Sequence, residues 1–180
     1  RGMTLNLPTI TVEFVAHTPD TISMEAWHYE AYDNKVPSFD KTESVYEDVT
    51  VTINEDEAVL DTGSVQVRVQ RKGVFAYTFE ADGNLSYIRW DRQQSTMLPA
   101  QNYMTEKYQP YMVSELSLGV GECVYGLGER FTPFVKNGQV VDTWNEDGGT
   151  ASEIGYKCVP FYMTNNGYGI LVDSTDNVSF

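Results

Sequence analysis

The sequence is short of cations: 12 Lys plus Arg stand against 26 Asp plus Glu, a formal net charge of −14. A field of that sign repels phosphate backbones and anionic bilayers, which makes nucleic acid and membrane surfaces poor partners. Long apolar runs are missing as well; none approaches the ~20 residues of a membrane-spanning helix. No basic segment followed by an apolar stretch opens the chain as a signal peptide would. Only two cysteines occur, Cys123 and Cys158, too few for the disulfide framework of a small secreted domain. Each has apolar neighbours, so both are expected to be buried and reduced, with a cytoplasmic home as the default. The two histidines, His17 and His28, have no Cys or His at ligand spacing and read as surface or internally satisfied groups rather than metal ligands. Nucleophile and cofactor signatures are absent too: no Ser sits in a G-x-S-x-G setting, and Gly126 to Gly128 lack the third glycine and the following helix of a dinucleotide loop. Those glycines are expected to mark a bulge or a close backbone approach.

Aromatics are plentiful, with 12 Tyr, 8 Phe and 3 Trp, which suits half-buried sheet faces and sugar stacking alike. Alternation supplies the fold class. Ile10, Val12 and Phe14 share one face against Thr9, Thr11 and Glu13, and Val65, Val67 and Val69 alternate with Gln66, Arg68 and Gln70. The same period predicts strands over Val49 to Ile53, Val74 to Phe79 and Leu85 to Trp90, the last two joined by a tight turn at Asp82-Gly83-Asn84. Tyr156 to Met163 and Tyr168 to Val172 predict a second hairpin across Thr164-Asn165-Asn166-Gly167. Stripes at helical spacing are scarce; Ser95 to Met104 reads as loop. Short strands without intervening helices predict an all-β, antiparallel β-sandwich, one domain over residues 1–180 with no repeat or linker. The chain opens on Arg1-Gly2 and stops within an apparent strand at Val178-Ser179-Phe180, so it is expected to be a fragment of a larger protein.

Chemistry concentrates in one long loop, Asp142 to Glu153. It carries Asp142, Asn145, Glu146, Asp147 and Glu153, the indole of Trp144, and the pair Gly148-Gly149. Carboxylates accept hydroxyl hydrogen bonds, amides donate and accept, and an indole face stacks on a pyranose, so the set can hold a sugar. A solvated acidic loop with an Asp-Gly turn is the plainer reading. A calcium loop fails: Asn145, Asp147 and Gly148 match positions three, five and six of an EF-hand, but Thr143 and Ile154 then occupy positions that need carboxylates. Glu129, Asp147 and Glu153 could be nominated as candidates for a hydrolytic carboxylate pair, yet a loop with two adjacent glycines is a poor platform for that precision. Arg130 is either an ion-pair partner of Glu129 or Asp147 or part of the site. Asn84-Leu85-Ser86 and Asn177-Val178-Ser179 fit the glycosylation sequon, which has meaning only in a secreted protein.

Three motifs in order, VYGLGER from Val124, TWN-x-DGGT from Thr143 and YK-x-x-PFYMTN-x-GYG from Tyr156, resemble the N-terminal β-sandwich of glycoside hydrolase family 31, most closely its bacterial α-xylosidases. The similarity is dense from about Leu116 to Val172 and fainter over Thr9 to Trp90. The resemblance implies a galactose-mutarotase-like sandwich followed by a catalytic (β/α)8 barrel, absent from this chain. Family members are retaining, exo-acting α-glycosidases whose nucleophile and acid/base are aspartates on the barrel, so no catalytic residue is expected here. The implied contribution of the sandwich is a loop at the barrel mouth whose aspartate, matching Asp147, hydrogen-bonds the acceptor-side sugar of an α-linked xylosyl or glucosyl oligosaccharide. Trp144, Asn145, Gly148, Gly149 and Arg130 join Asp147 as candidate substrate-binding residues. Many relatives carry a basic residue where this chain has Glu146, a departure that bears on the charge of the acceptor side. The resemblance implies no cofactor and leaves room for a homo-oligomeric parent. Two rival readings remain: an independent carbohydrate-binding module, and a purely structural or oligomerisation sandwich.

Overall fold

The computed structural model describes residues 2–28, 44–81, 84–85, 95–101, 108–150 and 152–180. The described residues contain strands and no helix, and every ladder between strands is antiparallel. They form two compact units, one ending at Ser117 and one running from Leu118 to Phe180.

In the first unit, β1 (Gly2–Asn6), β2 (Ile10–Thr18) and β3 (Thr21–His28) form a three-stranded sheet in that order. A five-stranded meander follows: β4 (Thr50–Ile53), β5 (Glu57–Asp61), β6 (Gln66–Gln70), β7 (Tyr77–Ala81) and β8 (Asn84–Leu85). The period of two decides which side chains enter the core. Ile10, Val12, Phe14 and Ala16 of β2 are buried, and so are Ala58 and Leu60 of β5 and Val67 and Val69 of β6. Phe14 from the smaller sheet meets Tyr77 edge-on at 5.6 Å and Phe79 at 6.2 Å from the larger, the offset geometry that ring quadrupoles favour. A shared apolar layer between two antiparallel sheets is the predicted β-sandwich. His17 is satisfied as expected, its ring nitrogens lying 2.8 Å from the Ser44 carbonyl and 2.8 Å from Ser23 Oγ.

In this unit the strand expectations need correction. Residues Ser95–Gln101, read as loop, form β9, which pairs with β10 (Tyr108–Ser114) as a two-stranded ladder. Its proline hid the strand: Pro99 lies opposite Pro110, a pairing that suits only a non-hydrogen-bonded site, where each missing N–H points away from the partner strand. Strand β7 starts at Tyr77 rather than Val74, and its hairpin partner begins at Asn84; Asp82, Gly83 and 86–94 lie outside the described residues.

In the second unit, β11 (Val124–Gly126), β12 (Phe161–Thr164) and β13 (Gly169–Leu171) form a three-stranded sheet. The predicted hairpin is present, with Phe161 opposite Leu171 and Met163 opposite Gly169. Its first strand is shorter than expected because Tyr156 to Pro160 runs as loop, Lys157 bridging to Glu129 and Pro160 having no N–H to give a ladder. Cys123 and Cys158 are free thiols as expected, but half-buried rather than buried.

Candidate functional site

At the end of β11 the chain turns through Gly126, Leu127 and Gly128, all with positive φ (112°, 67° and 87°). Glycine is required at Gly128 by space as well as by φ: a Cβ there would strike the Lys157 carbonyl and lie 2.8 Å from the Val159 amide nitrogen. Leu127 adopts a conformation that costs a bulky residue, and its side chain is only 2% exposed, so packing holds it there. The amides of Leu127 and Glu129 donate to Phe161 and Lys157 carbonyls, each at 2.9 Å. This is the close backbone approach expected of the glycines.

That turn aims Arg130 into the loop Asp142 to Glu153. Its Nη1 donates to the Glu153 carbonyl at 2.9 Å, its Nε to the Leu127 carbonyl at 3.1 Å, and its Nη2 to the Asp142 carbonyl and to Cys158 Sγ. Of the two roles left open for it, the ion pair is not seen: among the described residues it makes none with Glu129 or Asp147, and Glu129 faces Lys157 at 3.5 Å, with both side chains exposed. A planar fork with several fixed donors can tie both limbs of a loop at once, which a lysine cannot do. Arg130 therefore acts on the loop's frame.

The other candidates divide between frame and surface. Asn145 Oδ1 accepts the Cys158 amide at 2.6 Å, and Asn145 bridges Gly155. Cys158 Sγ donates to the Trp144 carbonyl at 3.1 Å, which leaves the Trp144 indole 57% exposed on a fixed main chain. Gly148 lies so close to the Ile154 carbonyl that no side chain fits, while the Gly149 carbonyl accepts the Ser152 amide at 2.9 Å. Asp147 is exposed, and its Oδ1 accepts the hydroxyl of Tyr156 at 2.5 Å. That hydrogen bond, with some burial, pushes the Tyr156 phenol above its usual range against an opposing pull from the Gly148 amide. Asp147 Oδ2 has no protein donor among the described residues.

Two buried charged residues of this unit, Glu122 and Lys136, went unnoticed in the sequence. Glu122 is 4% exposed and its Oε2 accepts the Gly119 amide at 2.6 Å. Desolvation works against its charge, but the polar groups around it, the Tyr168 hydroxyl, the Gly119 amide and the side chains of Thr164 and Asn166, outweigh that and lower its pKa. Burial, then Glu122, pushes the Tyr168 phenol far above its usual range. Lys136 is also buried, its Nζ donating to Thr132 Oγ1 at 2.9 Å and to the Pro133 carbonyl at 2.8 Å; desolvation and then the charge of Arg130 lower its pKa. Tyr156 was overlooked as well, though it opens the YK-x-x-PFYM motif nine residues after Asp147. Chemically the surface offers one carboxylate oxygen, an indole face and a phenol ring, a set suited to gripping sugar hydroxyls and C–H faces. Glu129 and Glu153, nominated above as hydrolytic acids, are both exposed.

The family model described as glycosyl hydrolase 31 N-terminal galactose mutarotase-like domain matches residues 9–180. The chain is 41% identical over 180 residues to the α-xylosidase XylQ of Lactiplantibacillus pentosus, covering all of this chain and 23% of the relative. It is 33% identical over 199 residues to an α-xylosidase of Emericella nidulans, covering 99% of this chain and 25% of that protein. The chain thus spans about a quarter of the length of these relatives. Among solved structures, a GH31 dextranase of Flavobacterium johnsoniae complexed with glucose superimposes with a TM-score of 0.77 at 19% identity, over 100% of this chain and 22% of that one. A GH31 α-xylosidase of Xanthomonas citri gives 0.75 at 17% identity, over 99% and 19%. These last two likenesses concern the fold.

Proposed function

The chain belongs to the glycosyl hydrolase 31 N-terminal galactose mutarotase-like family, and from that premise we propose that it is the N-terminal domain of a retaining, exo-acting α-glycosidase of the α-xylosidase or α-glucosidase type. On this reading both compact units act as one domain, and the single family model spanning residues 9–180 supports it. The domain packs on a downstream catalytic barrel and extends the loop Asp142 to Glu153 toward the acceptor-side sugar, where the Asp147 carboxylate takes a hydroxyl. The carrying observation is that Asp147 stands exposed at the tip of a loop whose two limbs are tied by Arg130. A fixed loop with an exposed acceptor suits substrate positioning: binding energy at the leaving sugar aligns the glycosidic oxygen with an acid held elsewhere. Two free thiols support a cytoplasmic setting. In the full-length enzyme, Asp147→Ala should lower kcat/KM for α-xylosyl or α-glucosyl disaccharides about tenfold or more, as loss of a charged hydrogen bond does. An unchanged kcat/KM would overturn the assignment.

An independent carbohydrate-binding module is the second reading, favoured by the exposed rings of Trp144, Phe131 and Phe134. It requires saturable binding of xylo- or gluco-oligosaccharides by the isolated chain at millimolar concentration or below, read by amide shifts.

A further inference from the structure

We propose that Tyr156 is a positioning residue for Asp147: its hydroxyl takes Oδ1, selects one carboxylate rotamer, and leaves Oδ2 as the face presented to the acceptor sugar. The inference rests on the acceptor-side reading of Asp147 and deepens it.

Both residues sit on tethered backbone, and what differs is the freedom of their side chains. Tyr156 lies between two tethered neighbours: Gly155 bridges Asn145 and accepts the Glu146 amide at 3.2 Å, and the Lys157 carbonyl accepts the Glu129 amide at 2.9 Å. Gly155 is also buried so tightly against the Glu129 carbonyl that a side chain there would collide with it. Asp147 lies between the tethered Glu146 and the closely packed Gly148, but its side chain is exposed, and a free aspartate side chain has three χ1 wells and a broad χ2. The contact at 2.5 Å from Tyr156 removes that freedom. Its direction is set by chemistry: an ionised carboxylate only accepts, and the phenol, with its pKa raised, keeps its proton at neutral pH. Such a bond to a charged acceptor is short and strong compared with a neutral one. A preorganised carboxylate loses less freedom when a sugar hydroxyl arrives, so the benefit appears only with substrates that have an acceptor sugar. Tyr156 touches no reacting atom on this account.

The test uses the full-length enzyme with two substrates, an α-xylosyl disaccharide and α-xylosyl fluoride, which has no acceptor sugar. Tyr156→Phe keeps the ring and deletes the hydroxyl. It should lower kcat/KM for the disaccharide about tenfold more than for the fluoride, mainly through KM, the mark of lost binding shared by ground and transition states. In the Asp147→Asn background the same change should add no further disaccharide loss, because the coupled pair is already broken. Equal losses on both substrates would mean that Tyr156 only supports the fold and would overturn the proposal. Disaccharide activity lost in Asp147→Asn but intact in Tyr156→Phe would overturn it too, while sparing the acceptor-side reading. An Asp147→Asn enzyme unimpaired on the disaccharide would remove that reading itself.

Discussion

Arg130 Nη1 meets the Glu153 carbonyl at 2.9 Å, closing the far limb of a loop whose near limb the same guanidinium holds through Asp142. Charge is therefore used here to order main chain, in a protein with few cations to use. Replacing Arg130 by Lys keeps the charge and loses the fork. The expected outcome is a destabilisation of about 1–3 kcal/mol with faster amide exchange at 143–155, checked by urea unfolding and hydrogen exchange.

The turn before Arg130 gives a second prediction, best made as a contrast. Gly128→Ala meets both an unfavourable φ and the Lys157 carbonyl, whereas Gly138→Ala has φ of 77° and open space around its new Cβ. The first should cost about 3 kcal/mol or more and the second only about 1 kcal/mol, read from shifts in the urea midpoint. Similar costs at both sites would contradict the close approach.

Glu122 makes the protein acid-sensitive in a defined window. Its folded pKa is depressed, so it contributes stability above its unfolded value of about 4.3, and that contribution fades as pH falls through the folded pKa. Glu122→Gln should be less stable at neutral pH by about 1–3 kcal/mol, and the gap to the parent should narrow below about pH 4, as followed by thermal unfolding at stepped pH.

Lys136 acts at the alkaline end. Its folded pKa is lowered by burial and Arg130, so between that value and the ordinary lysine value of 10.5 the unfolded chain binds more protons than the folded one. Stability therefore rises with pH across that interval from this group. Lys136→Met should abolish the rise, which comparing the unfolding of the two proteins at stepped pH up to 10.5 would detect.

Much of the sandwich was legible because alternation is a local signal. Ile10, Val12 and Phe14 announce a buried face whatever lies opposite, and the structure buries all three. The ladder of Ser95–Gln101 was not legible, since Pro99 is disqualifying until its partner is known to be Pro110. The loop was visible by its glycines and acids, and family motifs marked Asp147. What sequence could not supply was direction in space. Nothing in the string says that Arg130 bonds carbonyls rather than acids, or that Tyr156, nine positions on, returns to Asp147. Likewise Glu122 and Lys136 look like ordinary solvated charges until burial is seen.

The proline pair in β9 and β10 has a consequence for solubility. Among the described residues the β9–β10 ladder pairs with no third strand, and an outward row of main-chain donors on such a ladder is a template on which another strand could add. Because Pro99 and Pro110 occupy a non-hydrogen-bonded site, the N–H that each lacks is an outward one, so both margins of the ribbon are interrupted at the same level. A single pair of residues thus breaks both outward donor rows of the ladder, where an unbroken row would be a better template for a further strand.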